Sequence, residues 1–182
     1  MRLRLIPHPD TPCPAVERLE VEAERRGDVL ELDYVLTGAT ERLRIPAPTE
    51  PQRQDGLWQH SCFEAFLRPG EGPAYAELNL SPSSEWAAYR LESYRAGMQP
   101  LPEVADPGID CVVQRNGIRL RARLQLGSVP LLAGAPWRVG LSAIVERDDG
   151  TRTFWALAHP PGEPDFHHTH CFAAALPAAG QP

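Results

Sequence analysis

Apolar and polar positions alternate along most of this chain, and a period of two marks strands half-buried against a core. Between Arg18 and Glu24, Leu19, Val21 and Ala23 fall on one side and Glu20, Glu22 and Glu24 on the other. After Arg25-Arg26-Gly27-Asp28 the pattern resumes from Val29 to Leu36, with Leu30, Leu32, Tyr34 and Leu36 on the buried side. The two segments read as a hairpin. Glu41 to Ala47 reads as a shorter strand running into the proline-rich stretch Pro46 to Pro51. Ser61 to Leu67 and Tyr75 to Ser81 alternate again, joined by the turn-rich Arg68-Pro69-Gly70-Glu71-Gly72-Pro73. Asn116-Gly117 predicts a type I′ turn between Ile109–Arg115 and Ile118–Leu126. That turn sets Ile109, Cys111 and Val113 against Leu124, Ala122 and Leu120, and Asp110 against Arg123. Trp137–Arg147 and Thr151–His159 flank Asp148-Asp149-Gly150, and Cys171–Leu176 closes the pattern. Trp86 to Arg95 fits a helix and a strand equally well. About nine strands with turns every ten residues or so predict an all-β fold, a two-sheet antiparallel sandwich, as one domain over residues 1–182.

The strands from Ser61 and Tyr75 carry acidic residues on a face that would otherwise be plain. Phe63, Ala65 and Leu67 share one side with Ala76, Leu78 and Leu80 across the hairpin. The other side holds Cys62, Glu64 and Phe66, then Tyr75, Glu77, Asn79 and Ser81. A symmetric register pairs Phe66 with Tyr75, Glu64 with Glu77, Cys62 with Asn79 and His60 with Ser81. Two glutamates directly opposed on a ladder repel each other. Flanked by Trp58, Phe66, Tyr75 and Trp86, they mark a surface built to hold something polar, against the alternative of a solvated face whose glutamates splay apart.

Charge narrows the partners. The formal net charge of −6 argues against binding nucleic-acid phosphates. All 18 basic residues are arginine, which excludes Schiff-base chemistry and the lysine-dependent phosphate loop. Arg119, Arg121 and Arg123 form a stripe better read as a solvated outer face than as an anion site. Cys13, Cys62, Cys111 and Cys171 form no CxxC, the first residues lack the apolar core of a signal peptide, and no run is apolar enough to span a bilayer. The expectation is a cytoplasmic protein with free thiols and no membrane partner.

Longer motifs carry a resemblance. Leu57-Trp58-Gln59-His60-Ser61-Cys62-Phe63-Glu64-Ala65-Phe66 resembles a recurring element of bacterial DOMON-like proteins, relatives of carbohydrate-binding module family 9. So do Glu77-Leu78-Asn79-Leu80-Ser81-Pro82-Ser83-Ser84-Glu85-Trp86-Ala87-Ala88-Tyr89, Trp155-Ala156-Leu157-Ala158-His159-Pro160, and Pro164-Asp165-Phe166-His167-His168 ahead of Cys171-Phe172. The resemblance implies a jelly-roll-like sandwich with a ligand face, and brings His167 and Trp155 towards the sheet end that holds Trp58 and Asn79. Members of the wider superfamily bind sugars or haem.

The residues then favour a non-enzymatic binding domain for a carbohydrate or similar small polar ligand. Trp58, Tyr75, Trp86 and Trp155 supply flat faces for a sugar ring, and His60, Glu64, Glu77, Asn79 and His167 supply groups for its hydroxyls. The alternative is an interaction or structural module pairing with a protein, a second copy included. A narrow aromatic-lined concavity near Glu64 and Glu77 favours the first, a flat apolar patch the second. No catalytic residue, metal or cofactor is expected. Glu64 and Glu77 have no distinctive hydrolase motif, Met98 is the one internal methionine for a haem ligand pair, and His167, His168, His170 and Cys171 match no established zinc spacing.

Overall fold

A computed structural model describes residues 1–70 and 72–178. Among them are twelve strands: β1 (Arg2–Pro7), β2 (Val16–Arg26), β3 (Val29–Gly38), β4 (Cys62–Pro69), β5 (Tyr75–Leu80), β6 (Trp86–Leu91), β7 (Gln99–Pro100), β8 (Asp110–Gln114), β9 (Gly117–Gln125), β10 (Trp137–Glu146), β11 (Arg152–Ala156) and β12 (Ala174–Leu176). The pairings between these strands are antiparallel, in the order β7-β6-β5-β4-β10-β11-β1-β2-β3-β9-β8, with β12 beside the first part of β10. The all-β expectation holds, and the strands follow one continuous path that passes through β1. β1 is the seam: Arg2 to Leu5 pair with β2, while Ile6 and Pro7 pair with β11.

The sheet curls so that its halves share one core, because each half turns its alternating apolar positions inward. β2, β3 and β9 contribute Leu19, Val21, Leu30, Leu32, Tyr34, Leu36, Ile118, Leu120 and Leu124. β4, β5 and β10 contribute Phe63, Ala65, Leu67, Leu78, Leu80, Val139, Leu141 and Val145. Each such leucine, isoleucine, valine or phenylalanine, fully buried, stabilises the fold by about 1.5–3 kcal/mol before entropy is counted. Tyr34 crosses the core: its hydroxyl donates to the Glu64 carbonyl at 2.7 Å and its ring packs on Phe63.

Several expected elements differ. Glu41–Ala47 is no strand. Thr40–Arg42 form a 3₁₀ turn, only Leu43 bridges to Arg147, and prolines at 46, 48 and 51 withhold ladder donors beyond it. Trp86–Arg95 resolves as a strand only to Leu91, before a turn in which Arg95 has φ +52°. Cys171 ends a 3₁₀ turn and the closing strand starts at Ala174. The β8–β9 turn lies at Arg115-Asn116, so Cys111 faces Leu120 and Asp110 faces Arg121. Gly117 serves a different purpose from the one its Asn-Gly pair announces. A Cβ there would sit 2.4 Å from the Leu36 carbonyl oxygen, so glycine permits the close approach of β9 to β3. The arginine stripe is a solvated outer face, paired as Arg119–Asp33, Arg121–Asp110 and Arg123–Glu31.

Candidate functional site

The outer face of β4, β5 and β10 is covered, and that cover makes the site. Every residue of β5 and the first six of β4 are buried, although alternation sends half of them away from the core. The outward half forms a second apolar cluster of Cys62, Phe66, Tyr75, Leu91 and Ile144, capped by Phe166 and Phe172 from the segment after β11. Where the cap does not close, a cleft of about 440 Å³ opens. Its floor is Glu64, Phe66, Glu77 and Ile144, and its sides include Trp58, Leu91, Met98, Phe154, Phe166 and His167.

Glu64 and Glu77 stand on neighbouring strands and on one face, as alternation requires, but they are not directly opposed. Glu64 pairs with Asn79 and Phe66 with Glu77, two positions away from the symmetric register. The cause lies on the other edge of β4, where β10 pairs with it as far as Arg68 and Pro69 and keeps those residues extended. The turn therefore moves towards Gly70 and Pro73, and each glutamate gains a neutral partner instead of a like charge.

Burial sets the charge state. Glu64 is 2% exposed and Glu77 6%. Desolvation lifts the Glu64 carboxyl well above the ordinary glutamate range, and the neighbouring Glu77 lifts it further, against a lowering contribution from Ser142. Glu77 is raised too, chiefly by burial, while the amide of Asn79 and the nearby Arg95 pull it back. Ser142 donates to Glu64 Oε2 at 3.2 Å, and Asn79 Nδ2 donates to Glu77 Oε1 at 2.9 Å. The Asn79 Oδ1 is buried and has no hydrogen-bond partner among the described residues. The floor thus favours a protonated carboxyl at Glu64, which can donate as well as accept.

A network from two loops fixes one wall. Asp165 accepts from Arg95 Nη2 at 2.8 Å, from the Tyr94 hydroxyl at 2.6 Å and from the His167 backbone N–H at 3.1 Å. The Tyr75 hydroxyl accepts from the Arg95 backbone N–H at 3.3 Å and lies 2.8 Å from His167 Nδ1. In the tautomer in which the phenol donates to Nδ1, the ring carries its own hydrogen on Nε2 and can offer it to a ligand. Burial, with the positive Arg95 nearby, depresses His167 to about 4, so the imidazole is neutral at ordinary pH.

The expected site residues divide sharply. Trp58, Glu64, Glu77 and His167 line the cleft. Tyr75, 2% exposed, stands behind His167, and Asn79 stands behind Glu77. His60 lies outside the cleft lining, its Nδ1 2.8 Å from Glu146 Oε2. Trp86 and Trp155 are in the other cluster, 5% and 4% exposed, facing the shared core. Register explains both. Trp86 faces Leu80 on β5 and Trp155 faces Ala143 on β10, and those partners are core-facing. Trp86 stacks instead under the Arg53 guanidinium, and the Trp155 indole donates to Thr153 Oγ1. The sequence reading missed Leu91, Arg95, Ile144, Arg152, Phe154 and Pro164 as lining residues. Phe154 could have been found by parity, since it shares a strand with Trp155 and must face the opposite side. Among the described residues no three metal-ligating side chains converge: His168 and His170 pack ring against ring, and Cys171 Sγ bonds to the Ala158 and Asp165 carbonyls.

Replacing Glu64 with glutamine is expected to stabilise the free protein at pH 7. Folding raises this carboxyl above its ordinary 4.5. Its contribution is therefore whole below that value and is lost as pH climbs towards the folded-state pKa. Glutamine keeps an acceptor for Ser142 and never ionises. Denaturation from pH 4.5 to 8 should show the variant's advantage growing with pH to on the order of 1 kcal/mol, a rise in Tm of about 2–4 °C. A variant less stable at pH 7 would mean that a cation holds the carboxylate ionised.

No family model matches the chain, and no curated protein matches it. Solved structures do. A putative carbohydrate-binding protein from Bacteroides uniformis superposes with a TM-score of 0.69 at 12% identity, over 94% of this chain and 83% of that one. A family 9 carbohydrate-binding module from Caldicellulosiruptor kristjanssonii, solved with glucose, gives a TM-score of 0.51 at 12% identity over 91% and 78%. At that identity the likeness is one of fold.

Proposed function

We propose that the chain binds a carbohydrate in this cleft without transforming it, as a jelly-roll-like sandwich of the DOMON-like kind. The observation that carries the reading is a pair of buried carboxyls on the floor of an aromatic-sided cleft. Sugar hydroxyls need groups that both donate and accept, and protonated Glu64, Glu77 and the Nε2 of neutral His167 supply them. The apolar face of a pyranose needs a flat partner, and Trp58 offers one, 46% exposed at the rim. The concavity favours a small ligand over a protein surface. The glucose bound by the family 9 module fits this reading.

Hydrolysis fits less well. A glycosidase separates its two carboxyls into an acid and an ionised partner. Here burial pushes both the same way, and the nearby arginine, Arg95, is engaged by Asp165. The four free cysteines suit a reducing compartment, so we place the protein in the cytoplasm.

The test is a thermal-shift screen with glucose, galactose, xylose, cellobiose and haemin, followed by calorimetry on any hit. Haemin belongs there because Met98 and His167 line the same cleft. A ligand specific for the native state raises Tm, by the equivalent of about 2.7 kcal/mol at a hundred times its Kd. Trp58→Ala should weaken a sugar hit by about tenfold, the loss of about 1.4 kcal/mol of stacking, with Tm of the free protein unchanged. A screen in which no sugar shifts Tm would sink the proposal.

A further inference from the structure

Basic groups gather at one end of the cleft around a single carboxylate. Glu146, 7% exposed, ends β10. Its Oε1 accepts from Arg44 Nη1 at 3.2 Å and its Oε2 from His60 Nδ1 at 2.8 Å. Directly across the ladder from Glu146 is Arg152, on the same face of the sheet. Arg152 lines the cleft with Glu64, Glu77 and Trp58, and among the described residues its guanidinium makes no ion pair and no side-chain hydrogen bond. One acid thus holds Arg44 and His60 and leaves Arg152 without a carboxylate, in a protein whose formal net charge is −6. Beside Glu146 a hollow of about 350 Å³ opens between Arg44, Ile45, Pro46 and His60. With Nδ1 turned to Glu146, the Nε2 of His60 faces away from it on a side chain that is 65% exposed.

Strand geometry ties this cluster to the cleft. Ser142, which donates to Glu64, lies four residues before Glu146 on β10, about 13 Å at strand rise. Ile144, between them on the same face, is part of the cleft floor. The polar floor at Glu64 and the basic cluster at Glu146 are therefore two ends of one surface, with Arg152 bordering both.

We propose that Arg152, with His60 and Arg44, receives an anionic substituent of the ligand, so that the cleft selects a charged sugar over a neutral one. This rests on the carbohydrate reading above and goes beyond it. The floor favours uncharged carboxyl, so it does not repel such a ligand, and a guanidinium with no partner of its own can meet a carboxylate or phosphate through two parallel N–H bonds. The shared chemistry is an oxyanion on a sugar, and its source is either a uronic acid or a phosphorylated hexose.

Calorimetry with glucose, glucuronic acid, glucose 6-phosphate and inorganic phosphate, on the wild type and Arg152→Gln, decides the matter. At least one charged sugar should bind about tenfold more tightly than glucose. The advantage should shrink as salt is raised, and Arg152→Gln should bring the ratio of affinities near one. Preference for glucuronic acid or for the phosphate identifies the source, and either supports the inference. Equal affinity for glucose and both charged sugars overturns it, as does a preference that survives Arg152→Gln; in both cases bound glucose leaves the carbohydrate reading standing. Inorganic phosphate binding as tightly as glucose 6-phosphate overturns it too, because the site would then recognise an anion alone. Failure of all three sugars to bind removes both readings.

Discussion

Truncating Phe66 to alanine should destabilise the protein by about 3–5 kcal/mol, the cost of removing a buried aromatic from a packed site. Phe66 is 1% exposed, and its ring packs within 5.2 Å of His167, 6.3 Å of Phe172, 6.4 Å of Tyr75 and 6.5 Å of Phe166, centroid to centroid. Those partners belong to β5 and to the segment after β11, so the residue holds the cover on the sheet as well as filling space. The loss should appear in urea denaturation, and sugar binding should fall with it because Phe66 is part of the cleft floor. A cost below about 1 kcal/mol would show that the covering segment is held by the Arg95–Asp165 network and not by its aromatics.

Trp137→Ala should cost a similar 3–5 kcal/mol from the opposite side of the fold. The indole is 1% exposed, donates through Nε1 to the Leu132 carbonyl at 3.0 Å and lies 3.5 Å beneath the Arg25 guanidinium. Arg25 in turn donates to the Ala135 carbonyl at 2.7 Å. Removing the ring leaves a cavity, an unpaired carbonyl and an arginine without its stacking surface. Trp137→Phe keeps most of the packing and loses the N–H bond, which should cost only about 1–2 kcal/mol. Neither side chain lines the cleft, so Trp137→Phe should retain the wild-type ligand preference. A changed preference in that variant would mean that the core and the cleft are coupled.

What the sequence disclosed was parity, and what it withheld was register. Alternation alone placed Phe63, Ala65 and Leu67 inward and Glu64 and Phe66 on the other face, and the structure keeps every one of them there. Register depends on what holds the far edge of each strand. The pairing of β10 with Arg68 and Pro69 shifts the β4–β5 turn, and the demand of β3 for a residue without Cβ claims Gly117. A single chain does not display either constraint. The same gap misplaced Trp86 and Trp155, whose nearness in sequence to polar motifs does not reveal that Leu80 and Ala143 are their neighbours. The other wall of the cleft was hidden for a different reason. Arg95 and Met98 come from an irregular loop, and no periodicity tells which of its residues face the sheet, while His167, also in a loop, was reached only through the resemblance. β1 was overlooked because Arg2-Leu3-Arg4-Leu5-Ile6-Pro7 alternates over only two arginines and two leucines before a proline, although Leu5 is fully buried.

The seam at β1 also has a kinetic meaning. Ile6 and Pro7 pair with Ala156 and Trp155, about 150 residues away in sequence, and among the described residues no other strand joins the two halves of the ladder. Loop closure over that distance yields no contact energy until β11 is in place, and folds dominated by such pairings reach the native state in milliseconds to seconds. Hairpins β2–β3 and β8–β9 can form early from local contacts, whereas β1 can dock fully only after both of its neighbours exist. Until then β11 presents an unpaired edge, open to intermolecular strand pairing. Refolding yield should therefore fall with protein concentration far more steeply than equilibrium stability would indicate, and a substitution that weakens β1 should slow the final step while leaving the hairpins' formation untouched.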